Sequence, residues 1–240
     1  MNSNCITLVG LLTLTFSPSI LAQSSLEGRE FTFARIRFES SLPVPVRVNS
    51  APWGHDHPKA EENLLRFMAA ELKMATSPTD RVVLELNDPQ ISDHPLLFLT
   101  EPGYWNPSDD EVSNLRGYLN RGGMLVLDDF RGQQEWNHVV EIFQRTLPGA
   151  NFEDLTLEDG PFQAFYQLDS VDLPTPYEVP GKPVARGIRG ADGELQVVAF
   201  FNSDLGDFWE WSDSLATRVP DETRRSLEIG ANTIVCALRK

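Results

Sequence analysis

Apolar positions along this chain follow two spacings. Between Pro95 and Phe130 the two meet in one unit. Leu96–Leu99 is a continuous apolar run, as expected of a strand buried on both faces of a parallel sheet. Ser108 and Glu111 then stand at capping-box spacing behind Pro107, and Val112, Leu115 and Leu119 recur on one helical face. Gly122-Gly123 supplies residues able to take the positive φ that ends a helix, and Met124–Leu127 is a second buried run ending on Asp128-Asp129. This is a βαβ unit. In open α/β sheets a ligand sits beyond the carboxyl ends of the strands, here Thr100-Glu101 and Asp128-Asp129.

The flanking pattern extends the same architecture. Phe31–Phe38 alternates, with Ala34, Ile36 and Phe38 opposite Arg35 and Arg37, which reads as a strand with one wetter face near a sheet edge. Ser40–Pro58 is a proline-rich loop. A helix from Pro58 or Lys59 follows, with Leu64, Phe67, Met68, Leu72 and Ala75 as its stripe. Arg81–Leu86 is a strand and Gln133–Thr146 a helix. Residues 150–183 read as irregular loop with short strands. Pro183–Ile188 and Glu194–Phe201 flank a Gly-Ala-Asp-Gly hairpin signal, Asn202–Trp211 reads as a loop, and Asp221–Leu238 closes the chain as a helix. The expected fold is a three-layer α/β/α sandwich with a mostly parallel sheet.

Composition narrows the function. The chain has 240 residues and a formal net charge of −15, and its first 22 residues carry no charged side chain. So acidic a domain repels nucleic-acid phosphates and anionic membrane surfaces, which argues against both as partners. Ile6–Phe16 is a short apolar run followed by Ser17-Pro18-Ser19 and by Ala22, the pattern of a cleaved secretory signal without an early Lys or Arg. An uncleaved anchor is the alternative, but the run falls short of the roughly 20 residues of a spanning helix. The expected organisation is a signal peptide over 1–22 and a single domain over 23–240, periplasmic or secreted. After cleavage Cys236 alone remains, so no internal disulfide can form.

Several clusters carry candidate chemistry, each beside a bland reading. Asp128 and Asp129 could bind a cation or polyol or act as acid and base, or could cap a helix and pair with Arg131. His55 and His57 are weak metal candidates, set against a loop that caps the next helix. Asn202, Asp204 and Asp207 loosely resemble an oxygen-rich loop without EF-hand spacing. Trp53, Trp105, Trp209 and Trp211 fall in predicted loops, where they would suit a ligand surface or else cover the core edge. The expected ligand-binding set is Asp128, Asp129, Thr100, Glu101, Trp53, Asn202, Asp204, Trp209 and Glu210. No cofactor is expected, and a divalent metal is left open. The partner is expected to be a small molecule or an envelope protein.

With these pieces placed, the chain resembles a bacterial family known as domain of unknown function 4159. The marks are Phe33-Ala34-Arg35, Trp53 ahead of Pro58, Asn63-Leu64, His94-Pro95 through Thr100, Leu115-Arg116-Gly117-Tyr118-Leu119 and Gly122-Gly123 through Asp128-Asp129. Later come Asn202-Ser203-Asp204-Leu205-Gly206, Trp209-Glu210 and Gly230-Ala231-Asn232. The loop after Thr100 departs from the family by carrying Glu101-Pro102 where a glycine is expected. The resemblance implies an exported or membrane-attached protein with a flavodoxin-like fold similar to class I glutamine amidotransferases. Those enzymes need a cysteine on a sharp turn after a strand. Here that place holds Asp128 or Asp129, so amidotransferase activity is not expected. Two classes remain: a non-catalytic binding or assembly module of the envelope, and a metal-assisted or carboxylate-based hydrolase acting through Asp128 or Asp129 with Glu210.

Overall fold

The apolar runs assemble into a seven-stranded sheet in the order β2-β1-β3-β4-β7-β6-β5, described by a computed structural model over residues 26–40, 51–214 and 220–240. The leader expected over 1–22 lies outside the described residues, as do positions 41–50 of the proline-rich loop. No helix among the described residues is long and apolar enough to cross a membrane.

Five strands are parallel: β1 (Phe33–Ile36), β2 (Arg81–Leu84), β3 (Leu96–Thr100), β4 (Met124–Phe130) and β7 (Leu195–Phe201). β6 (Val184–Arg189) returns antiparallel beside β7 through the expected hairpin, and β5 (Glu153–Asp154) adds a short antiparallel edge. β3 and β4 are direct neighbours, with Leu96 opposite Met124 and Thr100 opposite Asp128. The expected βαβ unit is therefore present.

Alternating side chains load both faces of the sheet. Phe33, Leu96, Phe98, Met124, Val126 and Val198 point to one core, which α1 (Lys59–Glu71) and the closing helix α6 (Pro220–Leu238) cover together with two short helices, α4 (Gly160–Gln163) and α5 (Leu205–Glu210). Ala34, Ile36, Leu97, Leu99, Leu125 and Leu127 point to the other, under α2 (Asp109–Asn120) and α3 (Gly132–Thr146). Helices on two faces of a mostly parallel sheet make the three-layer α/β/α sandwich that the pattern predicts.

Local signals act as read. Ser108 Oγ accepts from Glu111 N at 3.3 Å while Glu111 Oε2 accepts from Ser108 N at 2.8 Å. Gly122 takes a φ of +96° at the end of α2. Gly123 serves differently: it lies against the Tyr118 ring, where a Cβ would collide.

Two expectations need correction. β1 lies second from the β2 edge of the sheet, but the face expected to be wetter is closed at Arg35, which is 1 % exposed. Glu61 of α1 neutralises the guanidinium there, so a charged residue occupies a strand face the alternation had marked as wet. Asn202–Trp211 is not all loop, because residues 205–210 are helical. Its first amides find acceptors: Asp204 Oδ1 takes Asp207 N at 2.9 Å, and Asp128 takes Leu205 N at 3.2 Å and Gly206 N at 2.9 Å. Those carboxylates satisfy donors that a helix start leaves orphaned.

Cys236 sits in α6 with its sulfur against Gly160 of α4. Burial pushes its thiol up, so little nucleophilic thiolate forms near neutrality. Native protein is expected to react with a maleimide far more slowly than protein unfolded in urea; equal rates would show the thiol open.

Candidate functional site

The site begins with a bulge. Between Leu127 and Phe130 the register of β4 against β7 shifts: three steps on β4 oppose the two from Ala199 to Phe201. The inserted residue re-aims the strand end, as such bulges do. Asp129 takes the left-handed conformation there, with φ +52°. Glu101, just past β3, and Asp56, in the loop before α1, share it at +51° and +60°. Non-glycine residues rarely hold this conformation, and here three acids hold it together.

Asp129 is the hub. Its side chain has no exposed surface, yet both oxygens are engaged. Arg131 Nη2 reaches Oδ1 at 2.5 Å, the Tyr177 hydroxyl donates to Oδ1 at 2.8 Å, and His55 Nδ1 lies 2.8 Å from Oδ2. Arg131 also stacks on the Tyr177 ring, 4.1 Å from its centroid. The Tyr177 hydroxyl is equally 2.8 Å from Asp204 Oδ2. One phenol proton cannot serve two carboxylates. Burial and then the charge of Asp129 push Asp204 well above the carboxylate range, so Asp204 keeps its proton.

The surrounding groups follow the same physics. The hydrogen bond to Asp129 lifts His55 to about 9 against the opposing effect of burial. Burial raises Asp56 and Glu101 to about 8 each, and Asp128 to about 7. Burial also works upward on Asp129, but His55 and Arg131 hold it below its usual value. The crevice thus gathers more carboxyl groups than cations.

The loop carrying His55 is fixed from beneath. Arg35 Nη1 donates to the carbonyls of Trp53 at 3.1 Å and His55 at 2.9 Å. Glu61 binds the same guanidinium and lies 3.1 Å from His57 Nδ1.

A family model described as Domain of unknown function (DUF4159) matches residues 32–238. The chain belongs to that family. No curated protein matches the sequence.

Of the residues predicted for this DUF4159 site, Asp129, Glu101, His55 and Asp204 converge on the crevice. Glu210 lies at its outer side, where its carboxylate approaches those of Asp56 and Asp207. Thr100 ends β3 opposite Asp128 and is buried. Asp128 is buried as well and spends both oxygens on the start of α5. Asn202 ties loops together: its Oδ1 accepts from Gly132 N at 2.9 Å, and its Nδ2 donates to the Pro180 carbonyl at 3.2 Å. His57 is taken up by Glu61 and the Trp53 ring, 6.0 Å from its own. Trp53 packs on the α2–α3 core. Trp209 and Trp105 are buried in the two cores, and Trp211 is 53 % exposed.

Sequence reasoning gave Tyr177 no part in the site. It lies in the irregular stretch 150–183, where proline spacing hid any pattern, and a single tyrosine there carries no signal. Asp56 lies in the loop read as capping the next helix, beside the candidate His55. Ligand atoms of His55, Glu101 and Asp129 lie within 4.8 Å of one another, as do those of His55, Asp56 and Asp204, and those of Asp56, Asp207 and Glu210.

Proposed function

We propose that the protein is an exported, non-catalytic binding module whose crevice at the carboxyl ends of β3 and β4 takes a positively charged ligand, from a small molecule or an envelope partner. One observation carries this reading. Asp56, Glu101, Asp129, Asp204 and Asp207 gather in a largely buried crevice, where His55 and Arg131 are the cations bonded to Asp129 and the nearby Arg35 is already taken up by Glu61. A bound cation offsets the repulsion that protons otherwise relieve. Export is supported by the apolar run Ile6–Phe16 ahead of Ala22, and places the module in the periplasm or outside the cell. The parallel order β2-β1-β3-β4-β7 supports a flavodoxin-like relation to class I glutamine amidotransferases.

A second reading, carboxylate-based hydrolysis through Asp129, is favoured by that residue's left-handed conformation in the bulge near the end of β4. Against it, Asp129 already accepts from three donors and its side chain is closed to solvent. An attacking oxygen needs a free lone pair and a path to the substrate.

Melting curves of the chain without its leader, with zinc, calcium, putrescine or acetate, test the binding reading. At about 100 times Kd a ligand specific for the native state adds about 2.7 kcal/mol. For a chain of this size that is a rise of roughly 5–10 °C. The expected result is a rise with at least one cation and none with acetate. No shift with any cation would remove the reading.

A further inference from the structure

Within the acidic crevice, one buried carboxylate oxygen has no hydrogen-bond partner among the described residues. It is Oε2 of Glu101, a residue 7 % exposed. Leaving a buried carboxylate oxygen unsatisfied costs free energy that a native fold usually avoids. The other oxygen of the same carboxylate, Oε1, lies 3.4 Å from His55 Nδ1. Asp129 Oδ2 lies 2.8 Å from that nitrogen on its other side. The three side chains come from three separate parts of the chain: the loop before α1, the turn after β3 and the bulge of β4. A constellation collected from distant parts of the chain is held in place by the fold rather than by local sequence.

We infer that His55 Nδ1, Glu101 and Asp129 Oδ2 form a three-ligand site for a divalent transition-metal cation, with zinc the best fit, and that this cation is the positively charged ligand of the crevice. The inference rests on the binding reading above and names its ligand.

The ligand chemistry decides the class of metal. One imidazole nitrogen with two carboxylate oxygens suits zinc, whereas calcium and magnesium prefer six or more oxygens or near-octahedral oxygen geometry. Tetrahedral zinc with bonds of about 2.0–2.1 Å sets its ligand atoms about 3.4 Å apart. The His55–Glu101 separation of 3.4 Å already meets that spacing. The His55–Asp129 separation of 2.8 Å must open by about 0.6 Å, as a hydrogen bond gives way to two metal bonds. Three protein ligands leave a fourth position open for water or a bound molecule. Around them, Arg131 and Tyr177 hold Asp129 Oδ1, which orients Oδ2 toward the histidine. Such outer partners fix the direction of a ligand.

The two neighbouring groupings are weaker. Asp204 is committed to Tyr177 and to the start of α5, which occupies the His55–Asp56–Asp204 set. Asp207 accepts from Trp211 Nε1 at 3.1 Å, and both it and Glu210 are only half-buried.

The test uses the chain without its leader, stripped with a chelator and dialysed. Zinc content is measured by elemental analysis, and affinity by competition with a chromophoric chelator. Glu101→Gln, His55→Gln and, on the exposed edge strand β5, Glu153→Gln are compared, with circular dichroism reporting the fold of each. The inference expects one zinc per chain, a preference for zinc over magnesium and calcium, and retention in Glu153→Gln. It expects affinity to fall roughly 100-fold or more in both Glu101→Gln and His55→Gln, since even outer partners cost 10–100-fold. If either of those two variants misfolds, the other alone decides. Zinc retained at wild-type affinity in a folded Glu101→Gln or His55→Gln overturns the inference. So does a melting rise with putrescine or calcium but none with zinc, although the cation-binding reading then survives. No response to any cation overturns both.

Discussion

Arg35→Met is expected to destabilise the protein by about 3–5 kcal/mol, the cost of breaking a buried ion pair by removing one partner. Arg35 and Glu61 are each 1 % exposed, so the remaining carboxylate has no water to turn to. Burial alone would raise Glu61, but the Arg35 charge and the His57 hydrogen bond hold it below its usual value, which makes it an anion in the fold. Met fills much of the volume, so the loss is electrostatic rather than a cavity. The guanidinium also fastens the site loop by donating to the carbonyls of Trp53 and His55 and lies 5.1 Å from the Phe98 ring centroid. Urea unfolding of Arg35→Met, Glu61→Leu and the double variant reads the coupling. The double variant is expected to lose much less than the sum of the singles, because it leaves neither charge stranded. A single variant costing under about 1 kcal/mol would show that the pair is solvated.

The same pair shows where sequence reasoning ran out. An arginine at an alternating position reads as solvent-facing, and nothing local says that a glutamate 26 residues on will meet it. Signals confined to one turn were legible: the Ser108–Glu111 box, the glycine pair and the continuous apolar strands that make β3 and β4 neighbours. Helix α5 was not, because Asp128, 77 and 78 positions away, accepts from its first two amides. The site divided along the same line. Strand-end logic placed Asp129 and Glu101 at the crevice, and Arg131, close in sequence, was legible as a partner of Asp129. Tyr177, which joins Asp129 to Asp204, enters from a stretch with no periodicity at all.

The tryptophans are a further case in which residue type misled and packing decided. Trp209 fits a ligand surface by its place near Glu210, yet it is 2 % exposed and sits between Phe98 and Gly230. Its Nε1 donates to the Ser226 carbonyl at 3.0 Å, and its own carbonyl accepts from Asn63 at 2.9 Å. The Gly230 position matters, since a Cβ there would lie 2.6 Å from the indole. Trp209→Ala therefore empties a packed layer between α6 and the sheet and is expected to cost about 3–5 kcal/mol. Trp209→Phe keeps most of the ring but loses the indole bond to the Ser226 carbonyl, and is expected to cost less, about 1–3 kcal/mol. Urea midpoints give both values. Zinc affinity of the folded fraction is expected to stay within a few-fold of wild type in the Phe variant, because the proposed ligands lie on other elements. A Phe variant as stable as wild type but weakened in ligand binding would return Trp209 to the ligand surface that its sequence position first suggested.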